Sequence, residues 1–211
     1  MLELPTRHGP ARAHLEPVDR PVAGLALGHG AGGGVGTPDL VAAADAARSV
    51  GVTVALVEQP YRVAGRRSPA PARQLDEAWV DVLAQLREGP LSDVPLVVGG
   101  RSAGARVACR TAAESGATAV LCLAFPLHPP GRGDDPSKSR LPELEAVGLP
   151  VLVVQGERDP FGMPPEGPGR SVVVVPGNHS LQSGDAVAAA VADWLPVVVA
   201  ASPASGSGTA G

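Results

Sequence analysis

Pro95-Leu96-Val97-Val98-Gly99-Gly100-Arg101-Ser102-Ala103-Gly104-Ala105-Arg106-Val107 reads as a strand, a tight turn and the first turns of a helix in direct succession. Leu96 to Val98 are apolar at consecutive positions, the mark of a strand buried on both faces. Glycines at 99, 100 and 104 leave room for neighbouring backbones around Ser102. In a G-x-S-x-G turn the serine is held in a strained conformation, its hydroxyl above the carboxyl ends of the strands. The amino end of the helix behind it favours negative charge. A five-residue pattern arises by chance in a chain with 27 glycines. The strand before it and the helix after it give this one its meaning.

The same alternation continues on both sides. Apolar runs lie at Gly24–Leu27, Val52–Val57, Pro95–Val98, Ala119–Phe125, Val151–Gln155 and Ser171–Val175. Helical patterns separate them. Thr37-Pro38-Asp39 starts one, with Thr37 as N-cap and Pro38 first in the helix, and Gly51 stops it. Leu75, Trp79, Val82, Leu83 and Leu86 recur at helical spacing until Gly89-Pro90. A helix is expected from Ser102 to near Gly116, and a short one from Pro142 to Val147. The last carries Val187, Val191, Trp194 and Leu195 on one face. Such alternation implies the α/β class, a doubly wound, mostly parallel sheet of about six or seven strands with helices on both faces. Residues 1–19 are expected as an N-terminal edge segment, 20–199 as the domain, and 200–211 as a disordered tail. The Pro- and Gly-rich stretch His128–Arg140 reads as a loop, and no internal repeat is present.

Bulk properties narrow the function. A chain of 211 residues that is 44% hydrophobic builds one ordinary domain with a sizeable core. Only five residues are aromatic, so that core is packed from Ala, Val and Leu. A formal charge of −4 argues against nucleic acid as a partner. Cys109 and Cys122 lie in apolar stretches and read as buried free thiols, and the Cys and His spacing offers no zinc site. Neither a secretory h-region nor a run of about 18 apolar residues occurs, so a cytoplasmic protein without membrane contact is expected. No cofactor or metal is expected.

A serine needs a base, and the base an orienting group. In this type of sheet the chain order is Ser, then Asp or Glu, then His. Only His128 and His179 follow Ser102. His179 comes directly after the run Ser171–Val175, and Asp159 directly after Val151–Gln155. Both therefore sit at carboxyl ends of strands, where sites of open α/β sheets form. Alone, Asp159-Pro160 is turn chemistry and Gly177-Asn178 is a loop; their coincidence with the serine turn points to catalysis by Ser102, Asp159 and His179. Glu157 is the reserve acid. For an oxyanion hole the expected donors are the backbone N–H groups of Ala103 and Ala31, the latter in Gly28-His29-Gly30-Ala31-Gly32-Gly33-Gly34. Pocket positions are expected at His29, Gly30, Arg101 and His128.

One rival uses the same glycines. Gly28-x-Gly30-x-x-Gly33 matches the dinucleotide fingerprint, with Glu58 at the end of the next strand. A helix starting only at Thr37-Pro38 argues against it, and it leaves Ser102, Asp159 and His179 without a role. The absence of lysine from that loop excludes a P-loop.

Over roughly residues 20 to 198 the chain resembles the α/β-hydrolase superfamily, and within it the small lid-less proteins related to dienelactone hydrolase. That group includes a testis-expressed protein and a subunit of the non-specific lethal chromatin complex. The resemblance rests on Gly28-His29-Gly30-Ala31-Gly32-Gly33, Gly99-Gly100-Arg101-Ser102-Ala103-Gly104, Phe125-Pro126-Leu127-His128-Pro129-Pro130-Gly131, Gln155-Gly156-Glu157-Arg158-Asp159-Pro160-Phe161-Gly162 and Asn178-His179-Ser180. It implies Ser102, Asp159 and His179 as nucleophile, orienting acid and base, and little about substrate. The expectation is a serine hydrolase cleaving a small-molecule carboxylic ester or thioester through an acyl-enzyme. The alternative is a non-catalytic module that keeps the fold for a protein partner. Two departures stand out: dienelactone hydrolase itself uses cysteine where Ser102 stands, and Ala105 replaces a glycine common in this branch.

Overall fold

A computed structural model describes residues 1–133 and 135–202. Eight strands form one sheet: β1 (Leu2–Thr6), β2 (Gly9–Glu16), β3 (Ala23–Gly28), β4 (Val52–Glu58), β5 (Leu96–Arg101), β6 (Ala119–Leu123), β7 (Val151–Gly156) and β8 (Arg170–Val175). Their order is β1-β2-β4-β3-β5-β6-β7-β8. From β4 to β8 every pairing is parallel, while β1 pairs with β2 and β2 with β4 antiparallel. All six apolar runs of the sequence are strands. The remaining two come from residues 1–19, where a hairpin continues the sheet beyond β4, burying Leu4, Ala11 and Ala13.

Six helices connect the strands: α1 (Pro38–Ser49), α2 (Pro60–Val63), α3 (Ala72–Glu88), α4 (Ala103–Ser115), α5 (Leu141–Glu145) and α6 (Gly184–Ala200). On one face, α1 and α6 cover the sheet through Leu40, Val187, Val191 and Leu195. On the other, α3 and α4 bury Trp79, Val82, Leu86 and Val107 with Phe125 from the loop after β6. Small side chains fill both layers, so two large aromatic rings, Trp79 and Phe125, are each almost fully buried in the second. Truncating either to alanine would cost about 3–5 kcal/mol.

Helix ends largely follow the local signals. Thr37 takes the N-cap position of α1 by its extended backbone, but its hydroxyl caps nothing. Asp39, in the first turn, instead accepts from the N–H of Leu40 at 3.0 Å. Gly116 ends α4 in the left-handed conformation. Helix α6 continues through Pro196 to Ala200, and positions 203–211 of the expected tail lie outside the described residues.

Helix α1 begins at Pro38, after the last glycine of the fingerprint, so Gly33 lies in a loop and does not pack a helix on a strand. Between β6 and β7 the described residues hold only loop, one 3-10 turn at Pro136–Lys138, and α5. The carboxyl ends of β3, β5, β7 and β8 thus open to the same side with little above them.

Candidate active site

Ser102 is the hinge between β5 and α4. Its φ of +53° and ψ of −108° are unusual for a residue with a side chain. Its N–H donates to the carbonyl of Leu123 at 2.9 Å, which anchors the turn to β6. A methyl group on Gly104 would come within 2.5 Å of the Gly28 carbonyl oxygen, so only glycine lets β3 and α4 approach this closely.

Asp159 follows β7 and His179 follows β8. His179 donates from Nδ1 to Asp159 Oδ2 at 2.8 Å, and its Nε2 faces Ser102 Oγ at 2.9 Å. The carboxylate fixes the tautomer, leaving Nε2 unprotonated toward the hydroxyl. The Asp159 side chain is fully buried and that of His179 mostly so. Asp159 Oδ1 accepts from the Phe161 N–H at 2.9 Å, and Oδ2 also accepts from Gln155 Nε2 at 2.9 Å. The ring of Phe161 packs on His179 with centroids 4.3 Å apart. An imidazole held this way is oriented to take the hydroxyl proton. Glu157 is not part of the chain: its half-exposed carboxylate meets Arg158 at 3.5 Å.

In the loop after β3, the Ala31 carbonyl accepts from the Tyr61 hydroxyl at 3.0 Å. Among the described residues the N–H groups of Ala31 and Ala103 have no protein acceptor. Both residues line, with Ser102, an open cleft of about 350 Å³.

None of the four expected pocket residues lines this cleft; each is engaged by backbone or charge instead. His29 is buried; its Nδ1 donates to the Gly30 carbonyl at 2.8 Å and its Nε2 accepts from the Gln59 N–H at 3.1 Å. Burial lowers its pKa below the ordinary 6.5, keeping the ring neutral. Gly30 faces the Arg101 guanidinium. Arg101 pairs with Asp39 at 2.8 Å and donates to the His179 carbonyl at 3.1 Å. His128 ties its loop to the acid loop, its N–H donating to the Phe161 carbonyl at 2.9 Å.

Several supporting residues carried no functional role in the sequence reading. Gln155, fully buried at the end of β7, donates to Asp159, to Phe125 O and to Gly162 O. Asp39, Tyr61 and Phe161 belong with it. A polar residue closing an otherwise apolar strand, as in Val153-Val154-Gln155, was the available signal for Gln155.

The family model described as Alpha/beta hydrolase domain matches residues 21–185. The chain belongs to this alpha/beta hydrolase family. Solved structures repeat the architecture. A serine hydrolase without lid from Xanthomonas campestris superposes with a TM-score of 0.68 at 22% identity, over 92% of this chain and 94% of that one. Est1E from Butyrivibrio proteoclasticus gives 0.76 at 16% identity, over 94% and 98%. A dienelactone hydrolase from Anabaena variabilis gives 0.73 at 17%, over 93% and 95%. At these identities they show a shared fold with this alpha/beta hydrolase. No curated protein matches its sequence. Among the described residues no helix is long and apolar enough to cross a membrane.

Proposed function

We propose that this alpha/beta hydrolase is a serine hydrolase that cleaves carboxylic ester or thioester bonds of small molecules through an acyl-enzyme. The observation that carries the reading is the continuous hydrogen-bonded series Asp159–His179–Ser102 opening on a cleft. In the first half-reaction Ser102 Oγ attacks the acyl carbon while His179 Nε2 accepts the hydroxyl proton. Asp159 stabilises the imidazolium. The oxyanion is met by the amides of Ala31 and Ala103; one such donor typically contributes about 10²–10³ in rate. His179 then returns the proton to the leaving alcohol or thiol. Water, deprotonated by His179, attacks the acyl-enzyme and releases the acid and free Ser102.

The serine hydrolase and esterases among the similar structures support this chemistry. The sequence motifs favour the lid-less branch that includes the testis-expressed protein and the chromatin-complex subunit.

Labelling by a fluorophosphonate tests the reading, because the probe bonds only an activated serine and expels fluoride. Wild type should label, and Ser102→Ala and His179→Ala should not. A folded wild type that fails to label would leave the fold serving as a non-catalytic interaction module.

A further inference from the structure

The loop after β3 reaches the nucleophile but is scarcely held by packing. A Cβ built on Gly30 would lie 3.5 Å from Ser102 Cβ, so this backbone runs directly against the serine. One built on Gly32 or Gly34 would meet nothing within 4 Å. Glycines at 30, 32, 33 and 34 leave the chain a wide choice of backbone angles. Hydrogen bonds make the choice for Ala31. It stands at the first corner of a tight turn, closed by the Gly33 N–H on the Gly30 carbonyl at 3.3 Å. The peptide unit before Ala31 is held by its carbonyl, that of Gly30, which also accepts from His29 Nδ1 at 2.8 Å. The unit after it is held by the Ala31 carbonyl, which accepts from the Tyr61 hydroxyl at 3.0 Å. Tyr61 belongs to α2 and does not line the cleft that Ala31 shares with Ser102 and Ala103. Its ring is buried and meets His29 edge-on, with centroids 5.7 Å apart. Burial also raises its pKa above the ordinary 10, which keeps the phenol a donor.

We propose that Tyr61 is a positioning residue for the oxyanion hole. By holding the Ala31 carbonyl outside the cleft, its hydroxyl keeps the Ala31 N–H aimed at the oxygen that gains charge beside Ser102. This rests on the serine hydrolase reading above. A peptide unit is planar and trans, so fixing one carbonyl on each side of Ala31 fixes both of its backbone angles. Its N–H, which has no acceptor among the described residues, then keeps one direction. Without the hydroxyl, the Ala31–Gly32 unit turns freely within a run of glycines. The amide must then be reoriented whenever the oxyanion forms. A donor aimed in advance acts mainly as charge develops, so losing its alignment slows the chemical step and leaves substrate binding nearly unchanged.

Tyr61→Phe removes the hydroxyl and keeps the ring against His29. With p-nitrophenyl acetate, kcat should fall about tenfold or more while KM stays within about twofold. A trifluoromethyl ketone gives a second readout. Ser102 Oγ bonds to its carbonyl carbon, the carbonyl oxygen becomes an anion, and the serine proton passes to His179. Its inhibition constant should rise in Tyr61→Phe by about the factor that kcat/KM falls. Ala31→Pro deletes the donor itself, because proline has no N–H and suits the first corner of a tight turn, where Ala31 has no positive φ. If Tyr61 acts through this amide, adding Tyr61→Phe to Ala31→Pro should cost less than about twofold more. Unchanged kcat in Tyr61→Phe, with or without a lower melting temperature, assigns the hydroxyl to the fold alone and overturns the proposal. Losses that multiply in full in the double variant overturn it as well. In both cases fluorophosphonate labelling of the wild type leaves the hydrolase reading standing. A wild type that neither labels nor turns over overturns the two together.

Discussion

The Arg101 guanidinium donates from Nε to Asp39 Oδ2 at 2.8 Å and from a terminal nitrogen to the His179 carbonyl at 3.1 Å. The residue just before the candidate nucleophile thereby ties the first turn of α1 to the histidine loop. Asp39 is fully buried and Arg101 mostly so. Removing one partner of such a pair strands the other charge, at a cost of about 3–5 kcal/mol. Asp39→Ala should therefore lower the melting temperature clearly. Arg101→Met should lower kcat more than it alters KM, because the histidine loop loses a tether while the cleft keeps its walls. Arg101→Lys should be intermediate, since lysine cannot make both bonds with a fixed fork. Thermal denaturation and steady-state kinetics of the three variants check this.

Ser102 carries backbone strain, with φ at +53°. Such a residue costs about 1–3 kcal/mol unless it is glycine. Ser102→Ala should abolish turnover with the melting temperature kept or raised. Ser102→Gly should be at least as stable as Ser102→Ala, the reverse of the roughly 0.5–1 kcal/mol penalty glycine brings at an ordinary position. Chemical denaturation of both variants gives the sign directly.

Gln155 is the joint between strand β7 and the acid loop. Replacing it by leucine leaves Asp159 Oδ2 with only His179, and leaves the carbonyls of Phe125 and Gly162 without their donor. Unsatisfied buried acceptors cost about 1–3 kcal/mol each. Gln155→Leu should both destabilise the fold and slow turnover, whereas Glu157→Gln, on the exposed neighbour, should change neither by more than about 0.5 kcal/mol. Paired stability and rate measurements separate the two positions.

His29 links stability to pH. Burial holds its folded pKa below the ordinary 6.5, so below pH 6.5 the unfolded chain takes a proton that the folded one refuses. Its contribution is fully present above 6.5 and falls as pH drops from there toward the lowered folded value. His29→Gln, which keeps an acceptor for the Gln59 N–H, should flatten that part of the profile. Melting curves of both proteins between pH 5 and 8 check the slope.

Gly104→Ala tests the close approach of β3 and α4. Its methyl would meet backbone atoms of Gly28 and His29 within 2.8 Å, and rigid backbone cannot swing aside. The expected result is a loss of stability of about 1–3 kcal/mol and a larger loss of activity, because the same shift moves the Ala31 and Ala103 amides. Comparing the fall in melting temperature with the fall in labelling rate reads both effects.

Sequence by itself determined the parallel core, the turn at Ser102, and the order of serine, acid and histidine. Those are local signals: an unbroken apolar run is the imprint of burial on both faces, and chain order needs no distances. It also ranked Asp159 above Glu157, and His179 lies against Asp159 at 2.8 Å. Tertiary structure alone decided what lies beside what. Leu2-Glu3-Leu4-Pro5-Thr6 is too short and mixed to announce a strand, and becomes one only because β2 and the free edge of β4 accept it. Asp39 reads as an ordinary first-turn acid until the sheet order brings α1 beside the end of β5. Arg106, Arg110 and Arg140 look like scattered surface charges in the chain. They form one wall because α4 and the start of α5 meet at the cleft.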